Sequence, residues 1–393
     1  MIFNERRILI GILAVAFLVR LAIAIVLPDQ AFPDAQGYRE SAQQIWQSFQ
    51  IKTNFIMPLY PIIVGLAGEG WGQMLLDVTL STVAVWLIYR LAFELFADRL
   101  ASIIAATIAA LYPHFIFYAA VGLTESLYIA LLLSAFLAWY RGAFFVAAIF
   151  AVLGVLTRPA IELLAPLLVA YFAFSIHGLG VKGTARQLLV YGAVYVALMS
   201  PWWLHNYKAY GSFVRLNLAS GFLLYAGNNP MNHSGSGLRD IDWDSHRFDN
   251  IEDPVARDRA FHDAAVAYMR DQPLRAVELA WTKIVRFWQP WPYAPEYSRP
   301  FYVVVSLLSV GPVFMLSLAY FALYGRRDLR KILPILAFIA YLTAVHAVLV
   351  SSIRYRLPIE PFLVIFSGVT LSRLATTHLS LPRPAAAKLR SNV

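Results

Sequence analysis

Charged side chains lie at the ends of several apolar segments of this sequence, where they could do acid–base chemistry and bind anions. Asp34 follows the first apolar segment by a few residues, between Pro33 and an amphipathic stretch. A carboxylate can accept a proton, and an arginine guanidinium binds phosphate through paired N–H donors. The other charged or titratable residues near segment ends are Asp77, Glu125, Arg158, Glu162, His346, Arg354, Arg356 and Glu360.

The composition places these residues in a membrane protein. Of 393 residues, 60% are hydrophobic and only 14% are charged, whereas a soluble domain has about a quarter charged residues. Several apolar runs are long enough to cross a hydrocarbon core about 30 Å thick as helices. The absence of cysteine excludes disulfides, thiolate chemistry and cysteine-ligated metals. The fold class predicted is an all-α polytopic membrane protein.

We predict about ten transmembrane helices, with both chain termini on the cytoplasmic side. Lysine and arginine concentrate in the short loops on the side of the N-terminus, as the positive-inside rule requires of a cytoplasmic face. The net charge of +9 is therefore mostly a topology signal, and no nucleic-acid partner is expected. The predicted spans lie near 8–27, 73–96, 101–118, 123–139, 143–157, 160–176, 187–203, 301–323, 332–351 and 359–375.

Three regions follow from this topology. Residues 1–203 form an N-terminal transmembrane core with a first outer loop, 204–299 an outer-face segment, and 300–393 the last transmembrane helices and a cytoplasmic tail. In the first outer loop we predict a juxtamembrane helix over Ala42–Phe49, and a chain that re-enters the bilayer at Pro58-Leu59-Tyr60-Pro61. In the outer segment, Asp253 is the predicted N-cap of a helix with Pro254 at its first position.

Under this topology the charged residues near the segment ends all lie toward the outer leaflet. A charged side chain at mid-bilayer costs about 2.5–3.5 kcal/mol on insertion scales, so such residues usually line a polar cavity. Isolated snorkelling charges would be divided between the two leaflets. The sequence therefore predicts one outward-opening polar cavity at the lipid boundary.

Several motifs resemble those of the C-type membrane glycosyltransferases. The chain is most similar to bacterial relatives of protein O-mannosyltransferases and of the lipid A aminoarabinose transferase, a group like glycosyltransferase family 39. The resemblance covers nearly the whole chain. Three positions depart from the family pattern, namely Ala35, Met57 and His205. The motifs are Asp34 after the first span, PLYP (58–61), LYPHFIFYAAVGLTESLY (111–128), LTRP (156–159), PWWLHNYKAYGSFV (201–214), SGFLLYAGNNP (220–230), RFWQPW (286–291) and RYRLPIEPF (354–362).

The resemblance implies transfer of one sugar from a polyprenyl phosphate to an acceptor hydroxyl, by one inverting displacement at the outer face of the bacterial inner membrane. The acceptor would be a lipid, a glycan or a protein. Asp34 would be the catalytic base, and no cofactor is indicated, although a divalent metal is possible. The expected donor-phosphate ligands are Arg354, Arg356, Arg158 and Lys52. The residues expected to orient the acceptor are Glu125, Glu360, His205 and Asn206.

Three other classes of protein remain open from the sequence. An oligosaccharide ligase that uses undecaprenyl pyrophosphate would need a similar outward cavity. A lipid or sugar transporter would also carry charges in its spans, but it usually shows matching broken helices in two related halves, and this sequence has no such duplication. A non-catalytic membrane scaffold is the third alternative.

Overall fold

The computed structural model describes residues 2–27, 33–48, 55–236, 243–292 and 298–379, and within these ranges it contains helices and no strand. The all-α prediction is confirmed. In chain order the helices are α1 Ile2–Val26, α2 Pro33–Ser48, α3 Leu59–Ala67, α4 Trp71–Phe96, α5 Arg99–Leu111, α6 Pro113–Tyr118, α7 Glu125–Tyr140, α8 Phe144–Thr157, α9 Ala165–Tyr171, α10 Gly180–Tyr210, α11 Ser220–Gly227, α12 Pro254–Asp271, α13 Pro273–Trp288, α14 Pro300–Tyr320, α15 Arg326–Val348, α16 Ile353–Arg356 and α17 Glu360–Leu379.

Helices long and apolar enough to cross a membrane recur along the chain, as expected of a multi-pass protein. Among the described residues four helical runs meet that criterion, and they are Glu5–Val26, Trp71–Phe96, Gly180–Tyr210 and Pro300–Val348. Shorter apolar helices span Arg99–Leu111, Glu125–Tyr140, Phe144–Thr157 and Ala165–Ile176. The predicted total of about ten spans is not established by these helices and stays a prediction.

The run from Pro300 to Val348 folds back on itself. Phe314 lies 5.7 Å from Trp288 between ring centroids, and His346 lies 5.6 Å from Phe287. In a straight helix Phe314 and His346 would be about 48 Å apart, yet each contacts one of two adjacent residues. A π-helical segment, Phe321–Gly325, lies between α14 and α15. The chain therefore reverses direction between Phe314 and His346, an interval that includes the π segment.

Small residues and the buried Arg20 hold neighbouring helices together. A methyl group added at Gly368 on α17 would lie 2.6 Å from the Ala101 carbonyl on α5, so these two helices approach closely. Arg20, in the C-terminal part of α1, is fully buried. Its guanidinium donates to the carbonyls of Ala109 (3.0 Å) and Ala110 (2.9 Å) at the end of α5, where helical carbonyls lack intrahelical partners. Arg20 is not among the residues predicted from the sequence.

The first outer loop forms two helices beside the bundle. The predicted juxtamembrane helix is present but begins earlier than Ala42, at Pro33, a residue favoured at the first helical position. The predicted helix end at Phe49 lies outside the described residues. Tyr60 on α3 is buried and packs edge-on against Tyr38 of α2, with ring centroids 5.3 Å apart. These contacts fix α2 against α3.

The outer segment holds α11, α12 and α13, and it is tied to the chain that leads into α16. The predicted cap is confirmed, because the Asp253 carboxylate accepts from the N–H groups of Val255 and Ala256. Lys283 on α13 is fully buried and its Nζ donates to the carbonyl of Val348 (3.0 Å). Ser351 Oγ in turn donates to the Lys283 carbonyl (2.8 Å). These bonds hold the segment between α15 and α16 in place.

Candidate active site

Four charged residues from distant parts of the sequence meet at the ends of their helices, on the side predicted to face outward. We call them the Asp34 group: Asp34, Glu125, Arg158 and Arg354. Each occupies a helix boundary, where the side chain can leave the packed bundle. Asp34 lies in the first turn of α2 and Glu125 is the first residue of α7, positions at which the helix dipole favours a carboxylate.

Local sequence signals place the two arginines. Arg158 ends α8 in an extended conformation (φ −149°, ψ 123°), and the following Pro159 disfavours helical geometry at this position. Arg354 lies in the one-turn helix α16, whose N-cap Ser352 accepts from the Arg354 N–H (3.3 Å). Arg158 therefore projects from the point where α8 ends, and Arg354 projects from a single capped turn of helix.

The four side chains form one hydrogen-bonded chain of alternating charge. Glu125 Oε1 accepts from Arg158 Nη1 and from Arg354 Nε. Arg354 Nη1 also donates to Asp34 Oδ2 (2.5 Å). The order is thus Arg158–Glu125–Arg354–Asp34, with equal numbers of acidic and basic groups. Glu125 Oε2 is buried and accepts no hydrogen bond from any described residue, so this carboxylate has an acceptor that the described part of the chain does not use.

Side-chain exposure is lowest at Glu125, rises toward both arginines and is highest at Asp34. The Glu125 side chain is completely buried, those of Arg354 and Arg158 are 14% and 17% exposed, and that of Asp34 is 55% exposed. A molecule arriving from the outer face can therefore reach Asp34 first and the edges of both guanidinium groups next. Glu125 can act on it only through the arginines.

Aromatic residues support the arginines. The Tyr355 ring lies 5.5 Å from Arg158 Cζ, within cation–π range, and stacks on His346 with ring centroids 4.5 Å apart. His346 Nδ1 is 2.8 Å from the Val350 carbonyl. Tyr355 and Tyr38 were not predicted as site residues, since an uncharged aromatic residue in a membrane protein rich in aromatics gives no distinguishing signal.

Arg356 and Glu360 belong to a separate buried group with His114. Arg356 is fully buried, and it donates from Nε to Glu360 Oε1 (3.0 Å) and from Nη1 to the carbonyls of Phe287 (2.8 Å) and Gln289 (2.7 Å). His114 Nδ1 lies 3.2 Å from Glu360 Oε2. We call these three residues the Arg356 group. For Arg354 and Arg356 to clamp the same phosphate, Arg356 would have to leave these partners.

The remaining predicted site residues lie elsewhere. Asn206 is buried near the end of α10, and its Nδ2 donates to the carbonyls of Val214 (2.9 Å) and Leu216 (3.0 Å), which anchors the following loop. His205 stacks on Trp202 with ring centroids 5.0 Å apart. Lys52 lies outside the described residues. The residues predicted to line one polar cavity thus form separate charged groups in the structure. The reason is that backbone carbonyls and protein carboxylates already bind several of these residues.

Comparison with known structures identifies the fold. An archaeal oligosaccharyltransferase AglB from Archaeoglobus fulgidus, solved with an inhibitory peptide and a dolichol-phosphate, matches with a TM-score of 0.57 and 15% identity over 96% of this chain and 52% of that chain. A. fulgidus oligosaccharyltransferase structures in the apo form (TM-score 0.55, 16% identity, 94% and 51% coverage) and with Zn and sulfate (0.53, 18%, 94% and 50%) match similarly. No protein-family model and no curated protein matches the sequence.

The likeness shows that this chain shares its fold with part of these oligosaccharyltransferases. At this level of identity it establishes the fold alone. The chain spans about half the length of those solved structures, so it matches only part of them.

Proposed function

We propose that the protein is an inverting glycosyltransferase that moves a single sugar from a polyprenyl phosphate to an acceptor hydroxyl. The observation that carries this proposal is the Asp34 group, in which an exposed carboxylate is hydrogen-bonded to an arginine at the ends of helices in a fold shared with oligosaccharyltransferases. A general base beside a cation is what this transfer needs, because a proton leaves the acceptor while negative charge develops on the leaving phosphate.

In the proposed reaction Asp34 accepts the proton of the acceptor hydroxyl as its oxygen attacks the anomeric carbon of the donor sugar. The bond between that carbon and the phosphate oxygen breaks, its electron pair leaves with the polyprenyl phosphate, and the configuration at carbon inverts. Arg354 and Arg158 stabilise the departing phosphate. Their bonds within the group use Nε and Nη1 of Arg354 and Nη1 of Arg158, and a guanidinium has five N–H donors, so both retain donors for the phosphate.

A second candidate is transfer of a whole oligosaccharide from a lipid carrier. The fold likeness to oligosaccharyltransferases favours it. The two candidates share the base and the cations and differ in the size of the group moved, so a direct comparison of donors separates them.

The experiment is a donor panel with the purified full-length chain in lipid nanodiscs. We expect one undecaprenyl-phosphate monosaccharide to release free undecaprenyl phosphate when a mixture of envelope glycolipids is supplied as acceptor. Consumption of an undecaprenyl-pyrophosphate oligosaccharide, with every monosaccharide donor untouched, would replace the proposal by oligosaccharide transfer. Donors that remain intact but move between leaflets would indicate a transporter.

We further propose about ten spans, with the Asp34 group and the outer segment facing the periplasm of a bacterial inner membrane. Because the chain has no native cysteine, single cysteines report sidedness cleanly. Asp263→Cys, on the exposed face of α12, should react with an impermeant thiol reagent once only the outer membrane is opened. Lys182→Cys, exposed near the start of α10, is the matched control and should need permeabilisation of the inner membrane. The reverse pattern would invert the orientation.

A further inference from the structure

A cavity of about 460 Å³ lies beside the Asp34 group, and none of the four residues of that group lines it. It is bordered by the outer end of α1, by α2 and by the start of α4. This volume falls within the range of cavities that bind small ligands. Its apolar lining includes Ala24, Ile25 and Met74, and its polar lining includes Arg39, Glu69, Gln73 and Asp77.

Asp77 gives this cavity an unused hydrogen-bond acceptor. Its side chain is 1% exposed in the structure, and Oδ2 accepts from the Tyr60 hydroxyl (2.7 Å). The other oxygen, Oδ1, is buried and has no hydrogen-bond partner among the residues that the structure describes. A buried acceptor without a partner costs about 1–3 kcal/mol, so a ligand that donates a hydrogen bond to Oδ1 would remove that cost.

The charges of the cavity distinguish its ligand from the donor phosphate. Glu69 and Asp77 are acidic and Arg39 is the basic residue of the lining, whereas the Asp34 group offers two guanidinium groups near the surface. A phosphate is therefore better placed at the Asp34 group. A neutral molecule with several hydroxyl groups suits the cavity, since hydroxyls can donate to the carboxylates and to the Gln73 amide oxygen and can accept from Arg39.

An exposed indole borders the same space. Trp71 is 66% exposed and lines the cavity at the start of α4. A large aromatic side chain offers an apolar face with a polar edge, a surface on which the C–H face of a sugar ring can lie. The apolar residues of α1 extend from this cavity toward the membrane, so the alkyl chain of a lipid can lie along them.

We propose that this cavity binds the sugar head group of the lipid-linked acceptor, with Asp77 Oδ1 accepting a hydrogen bond from one of its hydroxyls. This inference rests on the proposed function, because it assigns the acceptor of that reaction. The cavity is connected to the base through packed rings. Asp77 holds the Tyr60 hydroxyl, Tyr60 packs on Tyr38, and Tyr38 lies one helical turn after Asp34 on α2.

The test measures binding without transfer. A Met74→Cys reporter in the cavity is labelled by an impermeant thiol reagent in phosphatidylcholine nanodiscs, with Asp263→Cys as the reporter outside it. The probes are dodecyl maltoside, dodecylphosphocholine and dodecylamine at equal concentration, which share a twelve-carbon chain and differ in head group. We expect dodecyl maltoside alone to slow labelling of Met74→Cys, and no probe to affect Asp263→Cys.

Asp77→Asn should raise the dodecyl maltoside concentration needed for protection by about tenfold. Trp71→Ala, which leaves the Asp77–Tyr60 bond intact, should weaken protection as well and guards against misfolding of the first variant.

Equal protection by all three probes would mean that the cavity holds only the alkyl chain, and protection by dodecylamine alone would mean an ammonium site. Either result, or no labelling without a probe, overturns the proposal. If dodecyl maltoside protects Met74→Cys but no donor in the panel is consumed, the cavity is a sugar-binding site and the proposed transfer reaction is wrong.

Discussion

Asp34→Asn is expected to lower sugar transfer per folded molecule by at least about 10²-fold, because positioned general bases contribute about 10²–10⁴-fold. The asparagine oxygen can still accept from Arg354 Nη1, which Asp34 Oδ2 does now at 2.5 Å, so the arrangement around the site is kept while the basicity is lost. The measurement is product formed under saturating donor and acceptor, divided by the folded protein from size-exclusion chromatography.

Two further variants separate chemistry from structure. Asp34→Glu keeps a carboxylate but moves it by one methylene, so a small part of the activity should return. Glu40→Gln is the matched control: Glu40 is exposed on the same helix and bonds to Gln36 Nε2 (2.8 Å) rather than to the Asp34 group, and its replacement should leave transfer unchanged. Near-normal transfer by Asp34→Asn would remove Asp34 from the reaction and direct attention to the buried Glu125.

Local signals in the sequence were sufficient for much of the fold. Asp253 followed by Pro254 predicts the start of α12 because the capping carboxylate and the fixed proline φ act within one turn. Hydrophobic segment length similarly predicts the four helical runs that are long and apolar enough to cross a membrane among the described residues. The start of α2 was predicted too late, since its first turns, which include Gln36, Arg39 and Glu40, are polar and lack the apolar periodicity on which the prediction rested.

The roles of the two neighbouring arginines depend on tertiary contacts that the local sequence does not reveal. Arg354 and Arg356 are two residues apart with the same side chain, yet Arg354 joins the Asp34 group while Arg356 is buried with Glu360. The difference arises from partners far along the chain, namely Glu125 on one side and the carbonyls of Phe287 and Gln289 on the other. No pattern within residues 350–360 contains that information. Arg20 was missed for the same reason, because its acceptors lie about ninety residues away.

This separation leads to different expected effects for the two arginines. Arg354→Gln removes a partly exposed guanidinium that we propose contacts the donor phosphate, so donor affinity should fall by about 10- to 150-fold, the worth of a hydrogen bond to a charged group. Arg354→Lys keeps the positive charge but lacks the planar guanidinium with its paired donors. Its donor affinity should therefore lie between those of the parent protein and Arg354→Gln. Affinity can be measured with an undecaprenyl-phosphate sugar that the donor panel identifies, using the Asp34→Asn background to prevent turnover.

Arg356→Gln should act on stability instead of donor affinity. It leaves the Glu360 carboxylate buried without its arginine, and breaking a buried ion pair in this way costs about 3–5 kcal/mol. The thermal unfolding midpoint should drop, while the protein that remains folded binds the donor as the parent does. Adding Glu360→Gln removes the stranded charge and should restore part of the stability. If Arg356→Gln folds normally and loses donor affinity as strongly as Arg354→Gln, then Arg356 leaves its buried partners when the donor binds, and both arginines clamp the phosphate.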